Sequence, residues 1–317
     1  MDGDTRELLR GSIRALLKSA PDDLLAGLSE LGWAEVVSDD EAAAVELLFA
    51  EQGGAGVASC ALDAAMVAAA GGALAKSDPS RPPVIVHPIG RTRRAVESGR
   101  LCVDGVTLGR RTGDGTAVVA DPSEAAIFVL APDQWAEVAV WGFDPASDLY
   151  RVRVDLPVDD VSWHPLDWTA AIRAARRALA SELIGNARAM LAIAVEQVGQ
   201  RTQFGRPIGA NQTPRHRLAD SYAQVSAAHE LVCMAWTSGS PWDALVAKTY
   251  AGSAADATAS TCLQVCGAIG LTFEHPLGGY VKRSRILDAL YGGWQTSVRD
   301  IGKRLLEDGN IPAGWAV

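Results

Sequence analysis

Arg201-Thr202-Gln203-Phe204-Gly205-Arg206-Pro207-Ile208 and, further along, Gln264-Val265-Cys266-Gly267-Ala268-Ile269-Gly270-Leu271-Thr272-Phe273-Glu274-His275 are the stretches whose reading decides the fold. Both sit on long helical patterns. A guanidinium presents several fixed donors and glycines allow close backbone approach, so Arg201, Gly267 and Gly270 suit a diphosphate-bearing ligand. Phe204 offers an aromatic face, and Gln264 a side-chain amide. Taken singly, each has an ordinary reading: Gly205 and Gly270 as helix stops, Phe204 as core, Arg201 as a solvated cap.

Working outward, three textures follow one another. From Arg6 to Gly72, apolar residues recur at helical spacing (Leu8, Leu9, Ile13, Leu16, Leu17, then Leu24, Leu25, Leu28, Leu31), and Ser38-Asp39-Asp40-Glu41 reads as a helix start. Val84-Ile85-Val86, Ala117-Val118-Val119, Ile127 to Leu130 and Tyr150 to Val154 are short β-like runs between Gly, Asp and Pro turns. After Pro165 the pattern is helical again: Trp168 to Gln200, Pro214 to Trp236, Trp242 to Cys266, Pro276 to Leu290 and Trp294 to Leu306. The small-residue run Ala251 to Ala257 lets helices pack closely. This predicts an α+β, mainly α, architecture: an N-terminal helical domain over 1–82, a short middle β domain over 83–161, and a C-terminal long-helix, four-helix bundle over 162–317.

Arg-x-x-Phe-Gly with Pro207-Ile208, Gln212, His216 and Leu218-Ala219-Asp220 resembles one signature of the acyl-CoA dehydrogenase family. Gln264-x-x-Gly267-x-x-Gly270 with Thr272, Glu274-His275, Arg283 and Tyr291 resembles a second. As one ordered set with that resemblance, the motifs favour cofactor binding. The resemblance implies FAD as cofactor, with Arg201, Gln203, Phe204, Gln264, Gly267 and Ala268 grasping its adenosine diphosphate portion across a subunit interface.

The family's proton-abstracting glutamate is where the sequence departs. The family's Tyr-Glu-Gly is Tyr291-Gly292-Gly293 here, and the other location used in the family, on the first long C-terminal helix, falls on Ala175. No catalytic residue is therefore expected in this chain. Glu182, two turns after Ala175, is a fallback base, with an interhelical salt-bridge carboxylate as its plainer reading. The ring-binding Thr-Glu-x-x-x-Gly-Ser-Asp pattern has no counterpart in the middle region, and Trp294 replaces a small hydroxyl residue, reading as a core ring that fills a vacated pocket.

Shortness and these losses resemble the smaller subunit of heteromeric, steroid-CoA-type acyl-CoA dehydrogenases. That implies an α2β2 heterotetramer with a longer acyl-CoA dehydrogenase subunit, an acyl-CoA thioester substrate that is steroid-derived, and an electron-transfer flavoprotein or similar acceptor. The alternative is a catalytically retired homo-oligomeric scaffold or binding protein of the same fold.

Composition bounds the rest. The chain has 317 residues, 48% of them hydrophobic, and a net charge of -9. An acidic balance argues against a nucleic-acid partner, and no membrane partner is expected, since no uninterrupted apolar run of about 18 residues appears. Five scattered cysteines fit reduced thiols in a cytoplasmic protein, and Cys262 and Cys266 are expected to be buried thiols, with no metal site. Arg91, Arg93, Arg94, Arg100 and Arg110-Arg111 form a basic stretch that suits a CoA phosphate or, more plainly, a solvated surface. His87, His164 and His229 have no supporting neighbours in sequence.

Overall fold

The computed structural model describes residues 1–19, 24–88, 94–109, 115–141 and 144–309. They divide into two compact units, one of Met1–Val45, Val57–Ala178 and Ala289–Gly292, the other of Glu46–Gly56, Leu179–Asp288 and Gly293–Val317.

The first unit opens on helices α1 (Gly3–Ser19), α2 (Leu24–Glu30), α3 (Trp33–Ala55, which continues into the second unit) and α4 (Ala61–Ala70). Asp2 starts α1 by accepting the Thr5 N–H at 2.8 Å, and Ile13 and Leu17 are the residues it buries. The start expected at Ser38–Glu41 is a break inside α3: Asp40 is non-helical (φ -153°, ψ 82°), and its Oδ1 accepts the Ala43 N–H at 3.0 Å. A capping carboxylate thus begins a new helical segment three residues before the amide that it satisfies.

Nine strands follow among the described residues. These are β1 (Val84–Ile85), β2 (His87–Pro88), β3 (Val96–Glu97), β4 (Arg100–Leu108), β5 (Ala117–Asp121), β6 (Ala126–Leu130), β7 (Glu137–Ala139), β8 (Leu149–Pro157) and β9 (Ser162–Pro165). One sheet runs β1-β5-β6-β9, with β1 and β5 parallel, and the other runs β2-β4-β8-β7, with β3 also on β4. Val84, Val119 and Phe128 from the first share one buried cluster with Leu101, Val152 and Val154 from the second. β8 alternates cleanly, burying Val152 and Val154 while Arg151, Arg153 and Asp155 stay outside. β4 escapes sequence patterning because Asp104-Gly105 sits mid-strand, yet all nine of its residues pair with β8.

The second unit is helical. It takes most of α5 (Thr169–Gln200), then α6 (Gln212–Ser238), α7 (Pro241–Cys266), α8 (Leu277–Ala289, of which the last residue belongs to the first unit) and α9 (Trp294–Asp308). The hairpin β10 (Thr202–Gln203) and β11 (Arg206–Pro207) lies between α5 and α6. By length and composition α5 is apolar enough to cross a membrane, but 72% of its most apolar window is buried, as in a core helix. Gly185 is required there: a Cβ would collide with the Ala50 carbonyl of α3. Ser240 caps α7, accepting from the Trp242 and Asp243 N–H groups, and Pro241 fills its first turn. The small residues of α7 are buried as expected, with Ala251, Ala254, Ala255 and Ala259 each at most 4% exposed.

Candidate functional site

The hairpin after α5 and the end of α7 present the two motifs. Arg201, Gln203 and Phe204 are exposed, and Phe204 stands fully in solvent with a left-handed backbone (φ 52°). Neither that exposure nor that conformation suits a core residue. Gln264, Gly267 and Ala268 are also exposed. α7 stops at Gly267 (φ 68°, ψ -152°), whose N–H returns to Leu263 O, and a Cβ there would meet nothing within 4 Å. Glycine is needed at this point for its backbone conformation and leaves open space beside it. Leu271 and Phe273, in the same stretch, are 75% and 97% exposed. The folded chain thus turns both motifs outward, where an exposed guanidinium, exposed side-chain amides and an open glycine turn fit an anionic diphosphate.

Of the positions discussed as a base, Ala175 and Gly292 carry no carboxylate, and Glu182 has a partner. Ala175 is 0% exposed, and the same stretch of α5 carries Arg173, Arg176 and Arg177. Burial lowers the Arg176 guanidinium, and it brings Arg177 down to about 10, with Glu41 opposing and Arg173 adding to the shift. Gly292 has φ 102°, a backbone suited to glycine. Glu182 is an interhelical ion pair: its carboxylate is 2% exposed and bonds Arg283 Nη2 at 2.5 Å and Nε at 3.2 Å. Trp294 is half-buried, with its N–H on Asp288 at 3.1 Å and its indole Nε1 on Asp256 at 3.2 Å, while Lys248 is buried against Asp288.

Sequence reasoning missed one constellation. In the first unit, His87 Nε2 lies 2.8 Å from Asp63 Oδ1, and His87 Nδ1 lies 2.9 Å from Tyr291 Oη. Asp63 Oδ2 accepts the Ile85 N–H at 3.0 Å, and Tyr291 Oη reaches Met66 Sδ at 3.2 Å. The three side chains come from α4, β2 and the turn after α8, so no local spacing announces them. His87 and Tyr291 border a cavity of about 920 Å³ with Trp168, Ile172 and the outer face of β4 and β8. On that face Arg151 grips Asp104 through two hydrogen bonds, 2.6 and 2.8 Å, and holds its carboxyl below the usual range.

Glu46, His229 and Cys233 also approach one another, within 4.8 Å. The imidazole bridges them, with Nδ1 3.3 Å from Glu46 Oε1 and Nε2 3.9 Å from Cys233 Sγ, so the donor atoms diverge instead of sharing a centre. Cys262 and Cys266 are buried, and burial pushes the Cys262 thiol up to about 12. Of the basic stretch, Arg91, Arg93, Arg110 and Arg111 lie outside the described residues, Arg94 approaches Glu124 at 3.8 Å, and Arg100 pairs with Asp155 at 2.5 Å. His164 and His216 are exposed.

Residues 168–306 match the family described as acyl-CoA dehydrogenase, C-terminal domain. Across the whole chain, a solved chain of the ChsE4-ChsE5 complex from Mycobacterium tuberculosis aligns with a TM-score of 0.76 at 20% identity, covering 99% of both. A chain of the Tcur3481-Tcur3483 steroid ACAD aligns at 0.73 and 19% identity, covering 97% of this chain and 99% of that one. Structures of this fold include one solved with FADH2. The class is therefore defined at the level of fold: the chain has the acyl-CoA dehydrogenase fold, and its residues 168–306 match that family's C-terminal domain. Among particular relatives, it is similar to Acyl-CoA dehydrogenase IpdE2 of Mycobacterium tuberculosis, 40% identical over 106 residues, which is 33% of this chain and 33% of that protein's length.

Proposed function

We propose that the chain is one subunit of a heteromeric, FAD-dependent acyl-CoA dehydrogenase that removes hydrogen from the α and β carbons of an acyl-CoA thioester. The observation that carries this reading is a division within the fold: the six motif residues face outward, while the positions discussed for a base offer no available carboxylate. A site assembled by one chain alone would keep such groups around an internal cavity.

Arg201 is suited to clasp the diphosphate with its planar fork, and Gln203 and Gln264 to meet neighbouring polar atoms of the cofactor. Phe204 offers its face to the adenine, and the backbone at Gly267 and Ala268 allows close approach. FAD, when bound, supplies the hydride acceptor. Abstraction of the α proton needs a positioned carboxylate. Glu182 is committed to Arg283, and glycine and alanine stand at the other two positions, so the base comes from a partner, a longer acyl-CoA dehydrogenase subunit in an α2β2 assembly. Likeness in fold to a chain of the ChsE4-ChsE5 complex and to a steroid ACAD supports that partner and a steroid-derived acyl group. A cytoplasmic location and an electron-transfer flavoprotein or similar acceptor complete the reading.

The test is expression of this chain alone and with a longer acyl-CoA dehydrogenase subunit, followed by flavin absorbance and subunit stoichiometry. One FAD per heterodimer with little on the lone chain is the expected result. Turnover and stoichiometric flavin in the lone chain would overturn it, and a complex without flavin would leave a retired binding protein.

A further inference from the structure

We propose that Asp63, His87 and Tyr291 form a proton-holding relay that positions the turn at Tyr291–Gly292 beside the cavity of the first unit. The inference needs no assumption about the reaction. Its basis is hydrogen-bond accounting among groups with almost no access to water: Asp63 is 1% exposed, His87 0% and Tyr291 7%.

Asp63 Oδ2 is occupied by the Ile85 amide, and Oδ1 faces His87 Nε2, so Nε2 carries a hydrogen and donates it. Nδ1 then has two satisfactory states. In the neutral imidazole it accepts the Tyr291 hydroxyl hydrogen across 2.9 Å. In the imidazolium it donates to Tyr291 Oη, whose own hydrogen turns to Met66 Sδ, 3.2 Å away. A thioether is a weak acceptor, but it leaves no buried donor without a partner. One proton therefore enters or leaves at His87 while every heavy atom stays in place.

Phenolate does not compete as a third state. Burial, with the Asp63 charge adding, holds the Tyr291 hydroxyl well above the usual phenol range. Other titratable groups in the neighbourhood are Cys60, which feels the Asp63 charge, and the cavity-lining Arg94, Glu97, Asp104, Arg151, Arg153 and Asp155. Arg151 and Arg153 both lie against Asp104, at 2.6 and 3.5 Å, which makes that part of the cavity wall a self-paired network.

Positioning follows from the backbone. Tyr291 has φ 54°, a conformation uncommon for a residue with a Cβ, and Gly292 continues at φ 102°. The side-chain hydroxyl bond to His87, with the two rings edge to face at 85° and 5.7 Å apart, is what holds a bulky residue in that turn. Asp63 orients the imidazole, the imidazole orients the phenol, and the phenol holds the turn.

The experiment is nitrogen NMR of histidine-labelled full chain between about pH 5 and pH 9, the range in which imidazoles titrate, on wild type, Tyr291→Phe and Asp63→Asn. In wild type, Nε2 is expected to stay protonated throughout while Nδ1 alone changes state. Tyr291→Phe, which removes one oxygen and keeps the ring, should shift the Nδ1 resonance and its titration midpoint, and Asp63→Asn should release the tautomer preference. Thermal unfolding of Tyr291→Phe provides an independent arm, in which its deficit relative to wild type should change with pH. A hydrogen on Nδ1 in place of Nε2, or an Nδ1 midpoint and a pH-dependent stability untouched by Tyr291→Phe, would overturn the proposal. A purely space-filling Tyr291 would lower stability equally at all pH values.

Discussion

Arg201 and Arg283 both stand in the family-like signatures, and the fold treats them in opposite ways. Arg201 sits on an exposed hairpin, while Arg283 is 6% exposed and bound to Glu182 through two nitrogens. The difference teaches that a recurring charged residue serves either a ligand or the fold. Burial and the partner decide which. A buried guanidinium keeps its charge only beside a carboxylate, so Arg283 removes Glu182 from the list of bases as it stabilises the helices that carry both. An exposed guanidinium costs nothing to leave waiting for an anion.

The comparison can be broken most decisively at the buried pair. Glu182→Ala leaves the Arg283 charge uncompensated in the interior and should lower the unfolding free energy by about 3–5 kcal/mol, measured by chemical denaturation. Replacing both residues by methionine should recover most of that loss. If Glu182→Ala were as stable as wild type and the assembled enzyme lost activity, the fallback base would return.

Two thiols, Cys60 half-buried and Cys262 buried, give a second probe. The Cys60 and Cys262 thiols rise from 9.0 to about 12, each chiefly through burial. The folded chain therefore keeps its protons where the unfolded chain has begun to lose them. Stability should hold below pH 9.0 and fall from there toward pH 12, at up to about 1.4 kcal/mol per pH unit for each thiol. Denaturation midpoints of Cys262→Ala should fall less steeply over that range.

At the surface the effects shrink. Gly267→Ala meets no steric obstacle but must adopt φ 68°, ψ -152°, a region kept almost wholly to glycine, which should cost about 1–3 kcal/mol in thermal unfolding. Arg201→Ala should change the stability of the lone chain by no more than about 0.5 kcal/mol. In the proposed heteromeric complex it should reduce flavin retention by about tenfold or more, the equivalent of about 1.4 kcal/mol from a lost charge-assisted contact. A large stability loss in Arg201→Ala without a change in flavin content would erase the contrast with Arg283.

Much of the helical architecture was legible because its signals are local. The helix read from Trp242 to Cys266 is α7, Pro241–Cys266, which Gly267 ends where the pattern predicts the last turn. α9 begins at Trp294 as read, and the small-residue run of α7 is buried as read. β4 was harder because a central Asp104-Gly105 imitates a turn, and only its neighbour β8 supplies the pairing that makes it a strand. The outward placement of Phe204 reverses the core reading open to it in sequence.

By itself, the sequence determined the class of fold, the order of its helical and β regions, the two motifs and the absence of a carboxylate at Gly292 and Ala175, since each depends on residue type and short-range spacing. Tertiary structure alone decided that Glu182 is committed to Arg283, 101 positions away, and that Asp63, His87 and Tyr291 form one chain of hydrogen bonds, with Tyr291 204 positions from His87. The physical reason is the same in both cases. A buried polar group is stable only with a partner, and which distant residue becomes that partner is set by how helices and strands pack.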